Sequence, residues 1–316
     1  MQSTTLRRLA LCTLLLPAAA SLASAQEIVG RKESVFTLNE RVSAGGWVRL
    51  FSHAGDITIT EGSGGTVELR AEKDPRRGSV EDMGFVILRQ SDGLTICAVY
   101  AGYEDNCEED GLRGDRRRGS SSDWRNRGRV HMTVRVPRGV RVRSGTGNGD
   151  LSLVAAVAEA RVSSGNGKVR VSGVEGRVEA SSGNGEVTIE GAGGPVRANS
   201  GNGDVFVSTA NGPVNASSGN GDLRITMRRL TGSDDLEFST GNGRVLLDVP
   251  ADFSAEVEAS TGNGRVTTDF PITIQGRVTP TRLRGTIGNG GRRLRMSSGN
   301  GSLEIRKAGD GGDDDR

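Results

Sequence analysis

Acidic side chains recur at one position of a repeated turn, where carboxylates could bind a cation. The residue after a Gly-Asn-Gly tripeptide is acidic in three successive turns, at Glu186, Asp204 and Asp222. Carboxylate oxygens at a fixed offset in Gly-rich turns are ligands that suit Ca²⁺. Three other turns carry a cation at this position: Lys168, Arg244 and Arg265. Calcium therefore cannot occupy every turn, and we favour exposed turn charges over a local metal site.

Side chains that could act as a nucleophile or a general base are either scarce or repeated. The two histidines, His53 and His131, belong to no His-x-x-x-His motif, and no Gly-x-Ser-x-Gly motif accompanies them. Serine recurs in columns, whereas a nucleophile is expected at a single position. The sequence therefore predicts no catalytic residue and no enzyme.

Aromatic residues near the charged segment 104–129 are the candidate binding residues. Tyr100, Tyr103 and Trp124 flank or lie within this segment, and exposed aromatics favour interfaces. The alternative is that they pack the segment against the rest of the protein. Arg113-Gly114-Asp115 matches an integrin-type triplet, but a chain this rich in Arg, Gly and Asp is expected to contain one by chance.

The first 25 residues have the features of a secretory signal peptide. Arg7 and Arg8 precede an apolar stretch, and Ala23-Ser24-Ala25 matches a cleavage site. We therefore expect export to the periplasm, the cell surface or the medium. Cleavage would leave 39 basic residues against 39 acidic ones. A neutral chain gives no electrostatic reason to expect binding to nucleic acid or an anionic membrane.

Two cysteines remain after this cleavage. Cys97 and Cys107 lie ten positions apart, and an even number in an oxidising compartment predicts a disulfide. The alternative is a redox or metal-binding pair, although no histidine lies nearby in sequence.

The tripeptide Gly-Asn-Gly recurs nine times and predicts a row of structural turns. Its asparagines are Asn148, Asn166, Asn184, Asn202, Asn220, Asn242, Asn263, Asn289 and Asn300. The first five are 18 residues apart, and the later spacings are 22, 21, 26 and 11. Apolar residues alternate with polar ones on both sides of each tripeptide, so each unit is expected to form two short strands.

Two architectures suit such a unit. In a meander each Asn-Gly would form a hairpin turn, and in a β-solenoid each unit would be one coil, with equivalent residues stacked about 4.8 Å apart. Arg161, Glu179 and Arg197 alternate in charge, as stacked residues should. Stacked Asn and Ser columns could form hydrogen-bonded ladders. We therefore favour an all-β, single-stranded β-solenoid with about 18 residues per coil, whose small interior explains an aromatic content of only 3%.

The other segments follow from this plan. Residues 26–136 are expected to form an atypical N-terminal β region, with a charged insert at 104–129 that forms a solvated, mobile loop. Regular repeats are predicted over 137–307, and a disordered acidic tail over 308–316. Atypical ends are expected because open solenoid edges would aggregate.

The stretch VPRGVRVRSGTGNGDLSL, followed by SSGNGxV units behind a signal peptide, resembles a family of exported bacterial β-strand-repeat proteins. That family is described as "putative adhesins", with a domain of unknown function related to the head domain of autotransporter adhesins. The resemblance covers roughly residues 36 to 307. It implies a β-solenoid at the cell envelope and implies no enzymatic activity.

Three functions remain open at this point. The first is a non-enzymatic adhesin-like or interaction module that binds an unidentified protein or glycan. The second is a periplasmic structural or envelope-stress protein without an external ligand. The third is a scaffold stabilised by Ca²⁺; otherwise no cofactor is expected. The chain has no predicted transmembrane segment after the signal peptide.

Overall fold

A computed structural model describes residues 26–76, 78–100, 105–114, 128–209, 211–274, 276 and 279–308. The signal peptide, Tyr103, Trp124 and tail residues 309–316 lie outside the described residues. The described residues form 28 strands and one 3-10 turn, Val80–Asp82.

The strands fall into three groups along the chain. The N-terminal group is β1 (Ile28–Val29), β2 (Val35–Arg41), β3 (Trp47–Ala54), β4 (Ile57–Glu61), β5 (Thr66–Asp74), β6 (Met83–Gln90), β7 (Gly93–Tyr100), β8 (Asp105–Glu108), β9 (Gly111–Gly114) and β10 (Arg129–Val136). The central group is β11 (Arg141–Asn148), β12 (Leu151–Val154), β13 (Glu159–Asn166), β14 (Val169–Ser172), β15 (Val178–Asn184), β16 (Val187–Ala192), β17 (Val196–Asn202), β18 (Val205–Thr209), β19 (Val214–Asn220), β20 (Leu223–Met227), β21 (Leu236–Asn242) and β22 (Val245–Val249). The C-terminal group is β23 (Ala255–Asn263), β24 (Val266–Thr268), β25 (Ile272–Ile274), β26 (Arg282–Ile287), β27 (Arg293–Asn300) and β28 (Leu303–Lys307).

The strands assemble into two long, mostly parallel sheets. Sheet A has the order β1-β6-β7-β3-β11-β13-β15-β17-β19-β21-β27-β23-β26-β25, and sheet B has the order β2-β5-β10-β4-β12-β14-β16-β18-β20-β22-β28-β24. A Gly-Asn-Gly corner carries the chain from sheet A to sheet B in each regular coil. Equivalent residues pair directly, as Asn166 does with Asn184. A meander would pair antiparallel, so the β-solenoid prediction is confirmed.

One apolar core runs between the two sheets. The alternating apolar columns point inward, as predicted from their period of two: Val178 and Val187 are fully buried, and Ala198 packs with them in the same core. Small Val and Ala side chains fill most of this interior, which is how a chain poor in aromatics can bury its strands. The segment Ser52–Ile57 lacks the Gly-Asn-Gly tripeptide but also forms a corner between the two sheets, because Ala54 pairs with Asn148.

The order of coils in space differs from their order in the chain at both ends. Coil 47–61 lies between strands β7 and β10 on one side and β11 and β12 on the other. At the opposite end, coil 293–307 lies between coils 236–249 and 255–268. The predicted boundary at residue 137 falls between β10 and β11, and the same stack continues on both sides of it.

Antiparallel strands cover most of the stack ends. Strands β6 and β1 extend sheet A beyond β7, and β5 and β2 extend sheet B beyond β10. At the other end, β26 pairs antiparallel with β23, and β25 pairs with β26. This arrangement shields parallel edges that could otherwise pair with another chain.

Candidate binding surface

Eight of the nine repeated asparagines form a continuous ladder at the corners of the coils. Along the ladder, the side-chain amide of one asparagine donates to the side-chain oxygen of the next, and Asn148 at the end only accepts. Asn184 donates to Asn166 and Asn202 donates to Asn184, each at 2.8 Å. The ladder follows the stacking order and not the chain order, because Asn300 donates to Asn242 and Asn263 donates to Asn300, each at 2.7 Å.

Asn289 lies outside this ladder, and the prediction for it is corrected. It is in the turn after β26, an antiparallel strand, so no equivalent asparagine stacks beside it. Its backbone N–H donates to the Ser254 hydroxyl at 3.4 Å. The tripeptide alone therefore does not specify a ladder position; parallel strands on both sides are also needed.

The serine column also has a different hydrogen-bond pattern from the one expected. Ser164, Ser182 and Ser200 are buried. Each hydroxyl donates to a glycine carbonyl in the preceding coil, as Ser182 does to Gly167 at 2.7 Å. The serines thus satisfy buried backbone carbonyls and do not form a hydroxyl ladder.

The candidate metal-binding carboxylates make contacts within the turns. Asp204 accepts the backbone N–H of Asp222 at 2.8 Å, and Asp222 accepts that of Arg244 at 2.7 Å. Glu186 accepts the Thr188 hydroxyl at 3.0 Å. Within the described part of the chain, no group of three or more His, Cys, Asp and Glu residues is placed to hold a metal ion. These acids are thus placed to stabilise the turns.

The two histidines lie apart from any catalytic arrangement in the described residues. The His53 ring is 6.0 Å from the Tyr100 ring between centroids. His131 Nδ1 lies 3.2 Å from a carboxylate oxygen of Asp56. Asp56 is also one of the turn carboxylates, since it accepts the Asp150 backbone N–H at 2.8 Å.

Part of the charged insert is an ordered hairpin fixed to sheet A by a disulfide. Cys97 on β7 is bonded to Cys107 on β8, and β8 pairs antiparallel with β9. Cys107, with Leu112 beside it, packs on an apolar outer patch of sheet A: Phe51, Val86, Leu88, Cys97 and Val99. For these residues the expectation of a solvated, mobile loop is wrong, because the hairpin covers a second small core.

Tyr100, one of the predicted binding residues, is a core residue. Its side chain is 3% exposed, and its hydroxyl donates to the Ala54 carbonyl at 3.2 Å. Burial raises the pKa of Tyr100 to about 12. The prediction fails because β7 is buried on both faces, by the main core and by the hairpin, so its last residue has no access to a partner.

A different aromatic residue, Trp47, lies at the centre of a candidate surface that sequence reasoning missed. Three guanidinium groups approach its ring: Arg141 at 4.7 Å, and Arg49 and Arg161 each at 5.4 Å from the centroid. Arg141 pairs directly with Trp47 across the parallel sheet. We call these four residues the Trp47 patch. Knowing the register of β3 on β11, which places Trp47 beside Arg141, would have been needed to predict this patch.

Acidic side chains hold the arginines of this region in place. Asp92 accepts a bidentate hydrogen bond from Arg49, and this contact lowers the pKa of Asp92. Asp110, at the tip of the hairpin, accepts a hydrogen bond from the Arg143 guanidinium at 2.7 Å. A cavity of about 210 Å³ opens between the hairpin and sheet A, lined in part by Phe51, Arg143 and Arg161 and adjoining the patch through Arg161.

The other groups whose pKa values are shifted take part in structural contacts. Burial lowers the pKa of Lys73, whose amine donates to the carbonyls of Gly30, Arg31 and Val80. Hydrogen bonds from Arg138 to Glu175 and from Arg306 to Asp248 raise the pKa of each arginine. None of these groups is placed beside a nucleophile in the described residues.

The family is identified by comparison with known proteins. Residues 109–306 match the Toastrack family, DUF4097, so the chain belongs to this family of unknown function. No curated protein matches the chain. No helix among the described residues is long and apolar enough to cross a membrane.

Solved structures with low sequence identity are similar over most of the chain. A "putative cell adhesion protein" from Clostridium sporogenes is 11% identical, covering 86% of this chain and 99% of its own, with a TM-score of 0.33. A "putative adhesin" from Bacteroides fragilis is 12% identical, with coverages of 88% and 98% and a TM-score of 0.30. A "putative lipid binding protein" from Parabacteroides distasonis is 8% identical, with coverages of 87% and 97% and a TM-score of 0.40.

Proposed function

We propose that this protein is a non-enzymatic, adhesin-like interaction module of the bacterial cell envelope that binds a protein or glycan through the Trp47 patch. The observation that supports this most directly is the clustering of a half-buried aromatic ring with the half-buried Arg141 and Arg161 and the buried Arg49 on the outer face of sheet A. Aromatic and arginine side chains carry much of the binding energy in known interfaces. Asp92 holds Arg49 and Glu159 holds Arg161, so little side-chain freedom is lost on binding.

The surroundings of the patch also favour recognition. The 210 Å³ cavity on one side and a cavity of about 500 Å³ on the other both touch patch arginines. The second cavity is lined in part by Arg41, Arg89 and Arg141. A partner could therefore place groups on both sides of the indole ring.

A binding comparison tests the role of the patch. Labelled protein would be applied to envelope fractions and to glycan and protein arrays, with the variant Trp47→Ala/Arg141→Ala beside it. We expect binding to fall at least tenfold in this variant. The matched control is Phe206→Ala, which removes a partly exposed aromatic residue from sheet B. Equal binding by both variants would contradict the assignment of the patch.

Export through the predicted signal peptide is part of the same proposal. Antibody and protease accessibility would be compared on intact cells and on cells whose outer barrier has been opened. Access on intact cells supports a surface role. Protection until the barrier is opened would contradict surface adhesion and favour the alternative of a periplasmic structural protein.

A further inference from the structure

Three loops meet at one edge of the stack because of the unusual order of its last coils. Strands β21, β27 and β23 are adjacent in sheet A. The loops that lead into them, residues 228–235, 288–292 and 250–254, must therefore lie side by side. They line a cavity of about 500 Å³. We call it the arginine cavity.

The charge of this cavity is predominantly positive. Its cationic lining residues are Arg228, Arg229 and Arg292, and Asp252 is the one acid among the residues that line it. None of the three arginines forms an ion pair with a described residue. Arginines of the neighbouring coils do have such partners, as Arg244 has Asp222 and Arg306 has Asp248.

One of these guanidinium groups has an unused hydrogen-bonding atom. Arg292 donates through Nη2 to the Gly232 carbonyl. Its Nη1 is buried and has no acceptor among the described residues. A buried charged donor without an acceptor is costly, so an acceptor supplied by a ligand would be stabilised here. Buried Phe253 and half-buried Leu230 give the cavity an apolar part.

We propose that the arginine cavity binds an oxyanion group, such as a phosphate, sulfate or carboxylate, either as a free ion or as part of a larger molecule. Arg292 supplies a directed hydrogen bond, and Arg228 and Arg229 supply positive charge at the rim. The site is separate from the Trp47 patch: β13, the patch strand nearest to it, and β21 are four strand spacings apart in sheet A, or roughly 19 Å at about 4.8 Å each. It does not depend on the proposed function.

Calorimetric titration of the full chain with inorganic phosphate, sulfate and acetate at low ionic strength tests this site. We expect the wild type to bind at least one of them, with an affinity that falls as salt is added. The variants are Arg292→Gln and the double variant Arg228→Gln/Arg229→Gln, each expected to weaken binding about tenfold or more. The matched control is Arg197→Gln/Arg224→Gln, which removes two exposed arginines away from the cavity.

The outcomes separate the proposal from its alternatives. Absence of binding of all three anions by the wild type would overturn it, and so would equal weakening in the control variant. If Arg292→Gln unfolds the loop, the double variant still tests the proposal. Arg228 and Arg229 are exposed and make no ion pair with a described residue, so their replacement should leave the fold intact. Glycerol phosphate binding more tightly than inorganic phosphate supports a group on a larger molecule, and equal binding supports a free ion.

Discussion

At the scale of single residues, the repeated tripeptide is explained by two requirements of the corner. The glycines allow close approach of the coils: a Cβ on Gly219 would lie 2.4 Å from the Gly201 carbonyl oxygen, and one on Gly221 would lie 2.2 Å from that of Gly203. These contacts are with backbone, which cannot move aside cheaply. The asparagine between them has an amide that can both donate and accept, so each coil is joined to its two neighbours.

Removing one asparagine from the ladder should weaken the stack. Asn220→Ala removes two hydrogen bonds, one to Asn202 and one from Asn242, both 2.7 Å long. At about 0.5–1.5 kcal/mol each, we expect the free energy of unfolding to fall by about 1–3 kcal/mol in denaturant titrations. Asn289→Ala is the control, since Asn289 is outside the ladder. An equal effect in both variants would show that the ladder contributes nothing of its own.

The buried Tyr100 hydroxyl should make stability depend on pH in alkaline solution. The pKa of Tyr100 is about 12 in the folded protein and about 10 when unfolded. The unfolded chain therefore loses this proton first as the pH rises. Tyr100 should have no such effect below about pH 10, and stability should then fall by about 1.4 kcal/mol per pH unit up to about pH 12.

This contribution can be isolated with Tyr100→Phe. Unfolding would be followed at several pH values for both proteins, and the difference between them reports Tyr100 alone. We expect the difference in the free energy of unfolding to change between about pH 10 and 12. A constant difference over that range would mean that the Tyr100 hydroxyl is not buried as described.

At the scale of elements, the hairpin β8–β9 depends on its disulfide for attachment. Replacing both cysteines by alanine removes a cross-link over a short loop, which should lower stability by about 2–3 kcal/mol. We expect limited proteolysis to cleave within residues 105–114 first, because the hairpin then covers Phe51 less firmly. Protein with the disulfide intact is the control. Unchanged cleavage after the replacement would show that packing of Leu112 alone holds the hairpin.

The sequence was sufficient to predict most regular elements but not this hairpin. The alternation of apolar residues around each Gly-Asn-Gly predicted inward-facing columns such as Val169, Val187 and Val205, all buried. The composition of the insert predicts a loop because charged residues dominate it. The few apolar residues that anchor it, Cys107 and Leu112, have little effect on that composition. The contacts of Trp47 were missed because they depend on which strands become neighbours.

At the scale of the whole molecule, the order of the coils was not predictable from the repeats. Coils 236–249 and 255–268 share the heptapeptide Ser-Thr-Gly-Asn-Gly-Arg-Val. Local sequence would therefore allow the two to stack directly. The structure instead places coil 293–307 between them. The antiparallel strand β26 occupies the other edge of β23, and the repeat encodes neither this pairing nor the insertion of coil 293–307.

A chain that stops at Gly291 should lose the fold of this end. The missing coil buries Leu294, Met296, Leu303 and Ile305, each worth about 1.5–3 kcal/mol. Its absence would also leave β21 and β23 with unpaired edges, which promote association. We expect a lower melting temperature and aggregation in light scattering. The control is a chain that stops at Ala308, and equal melting temperatures for the two would contradict this prediction.

The position of coil 293–307 also has a consequence for biosynthesis. Residues 255–268 leave the ribosome before residues 293–307, yet they lie farther out in the finished stack. The chain therefore cannot complete this end by adding each new coil to the last. Coil 47–61 is likewise enclosed by strands β7 and β10, which are made after it. Folding that begins while the chain is still emerging, from the ribosome or from an export channel, is thus expected to pause at incomplete intermediates until both inner coils are enclosed.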